Sequence, residues 1–212
     1  MLTVIIDYES GNLHSAEKAF QRMANETGRG EVIVSDKAED VDRADRLVLP
    51  GDGAFPACRA ALAGRENLFG ATRRAVEEKG RPFLGICVGM QLMARVGHEY
   101  QRTEGLGWID GEVEHISPSN PALKVPHMGW NDLVLTQEHP VLDGISTGDH
   151  AYFVHSYHMS LSEPSSLLAH ADYGQPITAI VGRDTMVGTQ FHPEKSQKTG
   201  LRLIANFLSW AP

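Results

Sequence analysis

The sequence predicts an α/β fold in which helices cover both faces of a mostly parallel central sheet, with antiparallel additions in the C-terminal half. In the first half of the chain, apolar β-branched runs alternate with amphipathic helical patterns. Strands that alternate with helices form parallel sheets buried on both faces. After Gly105 the pattern changes to short apolar segments that follow one another without helices, which is typical of antiparallel strands.

The elements follow in order along the chain. LTVIID is a predicted strand, SGN a turn and LHSAEKAFQRMA a helix, and further strands are predicted at EVIVS, DRLVLP and RPFLGIC. Gly80 is predicted to cap the helix before the last of these strands. The later strand-like segments are WIDGEVEHI, DLVLT, AYFVHSYHM, SLLAHADY, ITAIVG and TMVGTQF, and GLRLIANFLSWA is a final amphipathic helix. No repeat or linker interrupts the chain, so we predict one domain over residues 1–212.

Composition narrows the class of protein. The chain of 212 residues is 42% hydrophobic and 22% charged, which is typical of a globular domain. A formal net charge of -8 argues against a nucleic-acid partner, because phosphate binding requires a clustered basic surface. The N-terminus has no basic segment and meets an acid at Asp7, so we predict neither a signal peptide nor a membrane span. We therefore expect a cytoplasmic protein whose two cysteines stay reduced.

Cys87 stands between two glycines in GICVGMQ, where a predicted strand ends and a helical pattern begins near Val88. This places the thiol at the carboxyl end of the sheet, where open α/β sheets bind their ligands. A sharp turn of this kind exposes a nucleophile, and Gly85 and Gly89 would let strand and helix approach closely. The helix N-terminus would lower the thiol pKa and stabilise an oxyanion. The alternative is a small buried hydrophobe, which is the interpretation we keep for Cys58.

A candidate base lies in TMVGTQFHPEKS, where an apolar strand leads into His192 and Glu194 follows two residues later. In an extended backbone both side chains point the same way. The carboxylate would then fix the tautomer of the imidazole and support its charged form, which completes a nucleophile, base and orienting acid with Cys87. Taken alone, His-Pro-Glu is also typical of a surface turn. The cysteine motif and this motif together favour the catalytic interpretation.

GICVGMQ followed by HPE resembles the class I glutamine amidotransferases over essentially the whole chain. Four further segments, DYESGNLHS, LPGDGAF, VPHMGWN and YFVHSYH, are similar to the glutaminase subunits that supply ammonia to a cyclase in histidine biosynthesis. The resemblance implies a flavodoxin-like fold, L-glutamine as substrate, and neither cofactor nor metal. It also implies a 1:1 heterodimer with a (β/α)8-barrel cyclase subunit, which uses the ammonia on a phosphoribulosyl-formimino ribonucleotide.

The same resemblance implies a role for each site residue. Cys87 attacks the carboxamide of glutamine, His192 gives a proton to the leaving ammonia, and Glu194 orients the imidazole. Backbone N–H groups hold the oxyanion, and they belong to Val88 and to the PGDG turn at Asp52 and Gly53. The implied substrate-binding residues are Gly51, Gln91, Glu99, His155, Ser156 and Tyr157. The implied partner-interface or gate residues are Asn12, Trp130 and Tyr152.

Two positions depart from the family pattern. Glu9 stands where the family often has glycine, so the local backbone there is expected to differ, and Asp52 stands where an apolar residue is common. A carboxylate beside a developing oxyanion is unfavourable, so we expect the Asp52 side chain to point away from Cys87 while its N–H serves the site. Gly51 and Gly53 would let this peptide rotate, which suggests an oxyanion hole formed only on activation.

Three functions remain open from the sequence. An ammonia-producing glutaminase subunit is favoured. A stand-alone cysteine hydrolase, such as a γ-glutamyl hydrolase or a small peptidase, is opposed by HMGWN and by the short chain without lid insertions. A catalytically silent binding module is opposed by the complete set of catalytic side chains. Structural alternatives also stay open for single residues: a solvated helix-end charge for Glu99, and the buried core for Trp130 or Tyr152.

Overall fold

The computed structural model describes residues 1–212 and contains a central 8-stranded sheet with the order β2-β1-β3-β4-β14-β13-β12-β9. The strands of this sheet are β1 (Leu2–Ile6), β2 (Glu31–Ser35), β3 (Arg46–Gly51), β4 (Phe83–Cys87), β9 (Val134–Leu135), β12 (Leu167–Asp172), β13 (Pro176–Arg183) and β14 (Met186–Thr189). The helices are α1 (Leu13–Thr27), α2 (Ala38–Arg43), α3 (Phe55–Gly64), α4 (Glu66–Arg73), α5 (Val88–Gln91) and α6 (Gln197–Ser209). None of these helices is both long and apolar enough to span a membrane.

Two smaller sheets lie beside the central one. A 2-stranded sheet pairs β8 (His127–Asp132) with β10 (His150–His155), and a 4-stranded sheet has the order β11-β7-β5-β6. The strands of the second sheet are β5 (Ala94–Gly97), β6 (Thr103–Glu104), β7 (Ile109–His115) and β11 (Tyr157–Leu161). Single turns occur at Arg74–Glu78 (π), Pro140–Leu142, Pro164–Ser166 and Pro193–Lys195 (3₁₀). Because β10 runs into β11 with only Ser156 between them, this residue joins the two smaller sheets.

The predicted α/β fold is confirmed. Strands β2, β1, β3, β4 and β14 run parallel to one another, whereas the β14–β13, β13–β12 and β12–β9 pairs are antiparallel. Helices α1 and α6 pack together because each carries an apolar stripe at helical spacing, and Phe20 meets Phe207 edge to face with ring centroids 6.5 Å apart. The predicted cap at Gly80 agrees with its left-handed backbone, φ 60°.

Three predicted elements of the second half are wrong in detail. TMVGTQF was predicted as an antiparallel addition, and β14 does pair antiparallel with β13, but its other neighbour is the parallel strand β4, with Thr189 opposite Ile86. AYFVHSYHM divides into β10 and β11, which belong to different sheets. DLVLT shortens to the two residues of β9, and the preceding β8 was not predicted as a strand. Strand periodicity reflects the local backbone conformation and carries no information on the neighbouring strand. It therefore could not predict which strands pair or where one strand ends and the next begins.

The helical pattern predicted to begin near Val88 is confirmed, but the helix is short. Helix α5 has only four residues, and Leu92 and Met93 lead directly into β5. Both of these side chains are fully buried, and a short run that is apolar on all sides fits a buried turn and strand as well as a helix. A helix of one turn has a small macrodipole, so the positive field that we expected at Cys87 comes mainly from individual N–H groups.

Candidate active site

Cys87 closes β4, between β3 and β14, so Gly51 lies opposite it in the sheet and the segment after Thr189 runs beside it. Its backbone has φ 54° and ψ -113°, a strained combination for a residue with a side chain. The residue is only 5% exposed, yet it lines a cavity of about 130 Å³. The cavity residues are Asp52, Gly53, Cys87, Val88, Gln91, Glu99, Val154, His155, Ser156 and Tyr157.

The glycines around Cys87 bring strand and helix into direct backbone contact, as the sequence predicts. A Cβ atom on Gly89 would lie 1.8 Å from the carbonyl oxygen of Leu49, and one on Gly85 would lie 2.6 Å from the carbonyl oxygen of Gly89. No side chain can occupy either position unless the backbone moves. The thiol is therefore held at a corner whose geometry depends on these two residues.

His192 and Glu194 form a buried pair, with imidazole Nδ1 2.8 Å from carboxylate Oε1 and side-chain exposures of 6% and 2%. Burial acts to lower the pKa of His192, but hydrogen bonds and charge interactions with Cys87 and Glu194 outweigh it and raise the pKa to about 10. The surface-turn alternative for His-Pro-Glu is thus wrong. The extended backbone that we predicted is wrong beyond His192, because Pro193–Lys195 form a 3₁₀ turn that brings the carboxylate back to the ring.

Gln91 and Gln190 form the floor of the site. The Nε2 group of Gln91 donates to the carbonyl of Tyr157 at 2.9 Å and to Oε1 of Gln190 at 3.0 Å. Nε2 of Gln190 in turn donates to Sγ of Cys87 at 3.8 Å. Gln190 is fully buried and was missed by the sequence analysis, although an uncharged amide inside the apolar run before HPE was a visible signal.

Glu99 lies in the loop after β5 and is only 9% exposed. Its Oε2 accepts a hydrogen bond from the N–H of Phe55, the first residue of α3, at 2.7 Å. A carboxylate at a helix N-terminus is stabilised by free N–H groups there. The alternative of a solvated helix-end charge is therefore wrong for Glu99, which is fixed at the cavity wall.

The Gly51–Gly53 turn is held from outside the cavity. Ser10 Oγ donates to the Asp52 carbonyl at 2.9 Å, and the Asp52 N–H points to the same Oγ at 3.4 Å. Ser10 Oγ also lies 3.1 Å from Sγ of Cys58. The Asp52 carboxylate is exposed and makes no hydrogen bond with Cys87. In this conformation the Asp52 N–H is directed at Ser10 instead of at the thiol.

The remaining predicted residues lie on the surface. The Oδ1 atom of Asn12 accepts from the N–H of Ser15 at 3.3 Å, so Asn12 is the N-cap of α1. Trp130 is 48% exposed, which makes the core alternative wrong, and its ring contacts that of the half-buried Tyr152 across β8 and β10 with centroids 5.8 Å apart. Glu9 keeps a left-handed backbone, φ 66°, and its carboxylate pairs with Arg65 at 2.7 Å.

The family model described as glutamine amidotransferase class-I matches residues 4–210, nearly the whole chain that carries this site. The chain belongs to the class-I glutamine amidotransferase family. This amidotransferase is 70% identical over 212 residues to the imidazole glycerol phosphate synthase subunit HisH of Ruegeria pomeroyi, with 100% of both chains covered. It is 71% identical, at the same coverage, to the protein of that name from Cereibacter sphaeroides.

Solved structures show the same fold at much lower identity. A crystal structure of a glutamine amidotransferase has a TM-score of 0.72 and 20% identity, with 98% of this chain and 99% of that chain covered. A glutamine amidotransferase from Thermotoga maritima has a TM-score of 0.61 and 14% identity, with 92% of this chain and 76% of that chain covered. Both structures share the fold in which β4 ends at Cys87 and β14 leads into the segment of His192.

Proposed function

We propose that this amidotransferase is the glutaminase subunit of an imidazole glycerol phosphate synthase, in which Cys87, His192 and Glu194 hydrolyse L-glutamine to L-glutamate and ammonia. The observation that carries the proposal is the buried His192–Glu194 pair, which interacts with a thiol that opens into a polar cavity. The full-length relatives named HisH support this choice within the family.

The chemistry begins with proton placement. A pKa of about 10 keeps the His192 imidazole protonated at neutral pH, next to a sulfur that attacks as thiolate. Attack of Cys87 on the carboxamide carbon forms a C–S bond, and collapse of the tetrahedral intermediate breaks the C–N bond. His192 donates its proton to the departing nitrogen and so releases ammonia. The neutral imidazole then takes a proton from a water molecule, whose oxygen attacks the thioester carbon. The C–S bond breaks, the imidazole returns the proton to sulfur, and glutamate and the free thiol are formed.

The oxyanion of each tetrahedral intermediate needs N–H donors. The Val88 N–H at the start of α5 is one, and the turn at Asp52 and Gly53 is the source of the second. Each such donor is worth about 2.7–4 kcal/mol in the transition state. Because the Asp52 N–H is directed at Ser10, the turn must rotate before it can serve. Gly53 permits that rotation, since it already has φ 115°.

The glutamine itself fits between the carboxylate of Glu99 and the segment from His155 to Tyr157. A buried carboxylate suits the cationic α-amino group, and N–H groups at a strand break suit the α-carboxylate. Gln91 completes the wall through its hydrogen bond to Tyr157. A cavity of about 130 Å³ leaves room for a small, extended side chain next to Cys87.

The partner in this proposal is a (β/α)8-barrel cyclase subunit in a 1:1 complex in the cytoplasm, which receives ammonia and uses it on its nucleotide substrate. The outer face of β8 supports a docking role, since Met128 is 62% and Trp130 48% exposed there. Large apolar side chains at this exposure are typical of interface anchors. Tyr152 extends the same face, since its ring contacts that of Trp130. Asn12 is the N-cap of α1 and follows Gly11, which packs closely against Pro50 and Gly51.

Reconstitution tests the function directly. The chain is mixed with its cyclase, and glutamine hydrolysis is measured with and without the nucleotide acceptor. We expect a large acceptor-dependent increase that is absent in Cys87→Ala. Strong ammonia release by the isolated chain would instead indicate a stand-alone hydrolase. Failure of a glutamine-analogue electrophile to label Cys87 in the complex would indicate a silent binding module.

The docking face has a separate test. Trp130→Ala should weaken cyclase binding by about 2 kcal/mol or more, roughly thirtyfold, if Trp130 is an interface anchor. Arg22→Ala is the matched control, because Arg22 is an exposed residue of α1 whose side chain pairs with Glu26 alone. Equal affinities for both variants and the parent chain in a calorimetric titration would remove Trp130 from the interface.

A further inference from the structure

A row of polar side chains, in which Asn131 is half-buried and the two histidines are buried, runs from β8 to the wall of the cavity. Nδ2 of Asn131 lies 3.2 Å from Nε2 of His127, and Nδ1 of His127 lies 3.0 Å from Nε2 of His155. Nδ1 of His155 then lies 2.8 Å from the carbonyl oxygen of Tyr157. His127 and His155 are 2% and 7% exposed, so water does not compete for these contacts.

The direction of every hydrogen bond in this row follows from its last member. A carbonyl oxygen only accepts, so Nδ1 of His155 carries the proton and donates to Tyr157. Burial lowers the pKa of His155 to about 3 and that of His127 to about 4, which keeps both rings neutral. A neutral ring has one donor and one acceptor, so Nε2 of His155 accepts from Nδ1 of His127. Nε2 of His127 must then accept from the amide of Asn131.

Packing fixes the ring at the centre of the row. His127 stacks on Phe153 with centroids 4.7 Å apart and on Tyr173 with centroids 4.1 Å apart. The second amide hydrogen of Asn131 is used by the carbonyl of Asp172 at 2.8 Å. Neither His127 nor Asn131 can turn its side chain without losing a hydrogen bond of this row.

The row ends on a group that belongs to the proposed glutamine site. The Tyr157 carbonyl that accepts from His155 also accepts from Nε2 of Gln91 at 2.9 Å. Gln91 bonds Gln190, which in turn contacts the sulfur of Cys87. One carbonyl therefore joins the histidine row to the floor of the cavity.

We propose that His127 and Asn131 are positioning residues for glutamine binding: they form a one-directional hydrogen-bond relay that holds His155, the Tyr157 carbonyl and thereby Gln91 in their binding orientation. The inference rests on the proposed function insofar as Gln91 and the segment from His155 to Tyr157 take up the substrate. Its hydrogen-bond directions are properties of the folded chain and are measurable without catalysis.

The first test is the tautomer of each ring. Nitrogen-15 NMR of the imidazole groups at pH 7 should show His127 and His155 neutral, with the proton on Nδ1 in both. Assignment uses the loss of one signal set in His127→Phe and in His155→Phe. A charged ring, or a proton on Nε2 of either residue, overturns the relay whether or not the chain hydrolyses glutamine.

The second test is kinetic and uses the complex with cyclase and acceptor. His127→Phe keeps the stacking but leaves Nε2 of His155 without its donor, so KM for glutamine should rise roughly tenfold while kcat changes less than about threefold. His127→Asn places an amide N–H where Nδ1 stood and should recover most of the KM. Alkylation of Cys87 by iodoacetamide should keep its parent rate, because the relay acts on substrate and not on the thiol.

His158→Phe is the matched control. His158 is also a buried histidine with one hydrogen-bond partner, Gln175 at 3.2 Å, but it is not part of the cavity wall. An unchanged KM in His127→Phe, or an equal rise in His158→Phe, overturns the positioning role. Should His127→Phe not fold, the signal set lost in His127→Asn assigns the ring instead, and the tautomers of the parent chain still decide. An inactive parent complex would count against the proposed function alone, since the tautomers are read separately.

Discussion

The imidazole of His192 and the carboxylate of Glu194 lie 2.8 Å apart in a pocket that leaves their side chains only 6% and 2% exposed. The second carboxylate oxygen, Oε2, is buried without any hydrogen-bond partner. A buried carboxylate with a free oxygen is costly unless a cation lies next to it. The pKa of His192, raised to about 10, keeps the ring cationic beside this carboxylate, and the proposed release of ammonia requires a protonated ring.

Glu194→Gln should lower kcat for glutamine hydrolysis by about 10²–10⁴-fold, with KM changed much less. An amide can present its NH₂ group to Nδ1, which favours the wrong tautomer and removes the charge that supports the imidazolium. Steady-state kinetics of the complex with cyclase and acceptor measure this effect. Glu138→Gln, at an exposed position outside the cavity, is the control. A loss below about tenfold in Glu194→Gln would mean that the carboxylate has no orienting role.

Stability should depend on pH through the same pair. The folded-state pKa of His192, about 10, lies above the ordinary value of 6.5, so the protonated ring stabilises the folded state. This contribution is fully present below pH 6.5 and is lost as the pH rises through about 10. Between those values Tm of the parent chain should fall more steeply than Tm of His192→Gln. Circular dichroism at a series of pH values checks this, and parallel curves would contradict the raised pKa.

The half of the fold that the sequence predicts well is the half whose contacts are local. Strands β1, β3 and β4 are fully buried and β2 is partly buried, but each contains an apolar run, and alternation with helices implies parallel pairing. The position of β14 could not be predicted in the same way, because its parallel neighbour β4 is about a hundred residues earlier in the chain. A short apolar strand carries no information on its neighbour, so TMVGTQF was placed with the antiparallel additions.

The residues of the candidate site also divide into those that a local sequence motif identifies and those that only the tertiary structure identifies. Cys87, His192 and Glu194 are visible from motifs, but the turn that joins the last two is set by Pro193, which starts a 3₁₀ turn. Gln190 escaped notice because its partners, Gln91 and Cys87, come from another part of the chain. His127 was likewise one of ten histidines until the β8–β10 register placed it opposite His155. Tertiary register, not residue type, selects these residues.

Ser10→Ala should raise hydrolysis of glutamine by the isolated chain about fivefold. The Ser10 hydroxyl contacts both the backbone N–H and the backbone carbonyl of Asp52, and its loss removes about 1 kcal/mol of restraint on the Gly51–Gly53 turn. A freed turn presents its N–H to the oxyanion more often. Ammonia release without cyclase measures the effect, with Ser162→Ala as an exposed serine control. No increase in Ser10→Ala would show that this contact does not restrain the turn.

Gly89→Ala and Gly64→Ala should have different effects on stability, because a side chain at Gly89 would overlap a neighbouring backbone whereas one at Gly64 would not. A Cβ on Gly89 would overlap the Leu49 carbonyl at 1.8 Å, so β3 or α5 must shift, and we expect a loss of about 3 kcal/mol or more in the free energy of unfolding. Gly64, the last residue of α3, has nothing within 4 Å of the added atom, and alanine there should be neutral or stabilising by up to about 1 kcal/mol. Urea unfolding of both variants gives the two values. Similar free energies of unfolding for the two variants would mean that β3 and α5 can move apart with little loss of stability. Their close contact would then not be what holds Cys87 in its strained conformation, φ 54°.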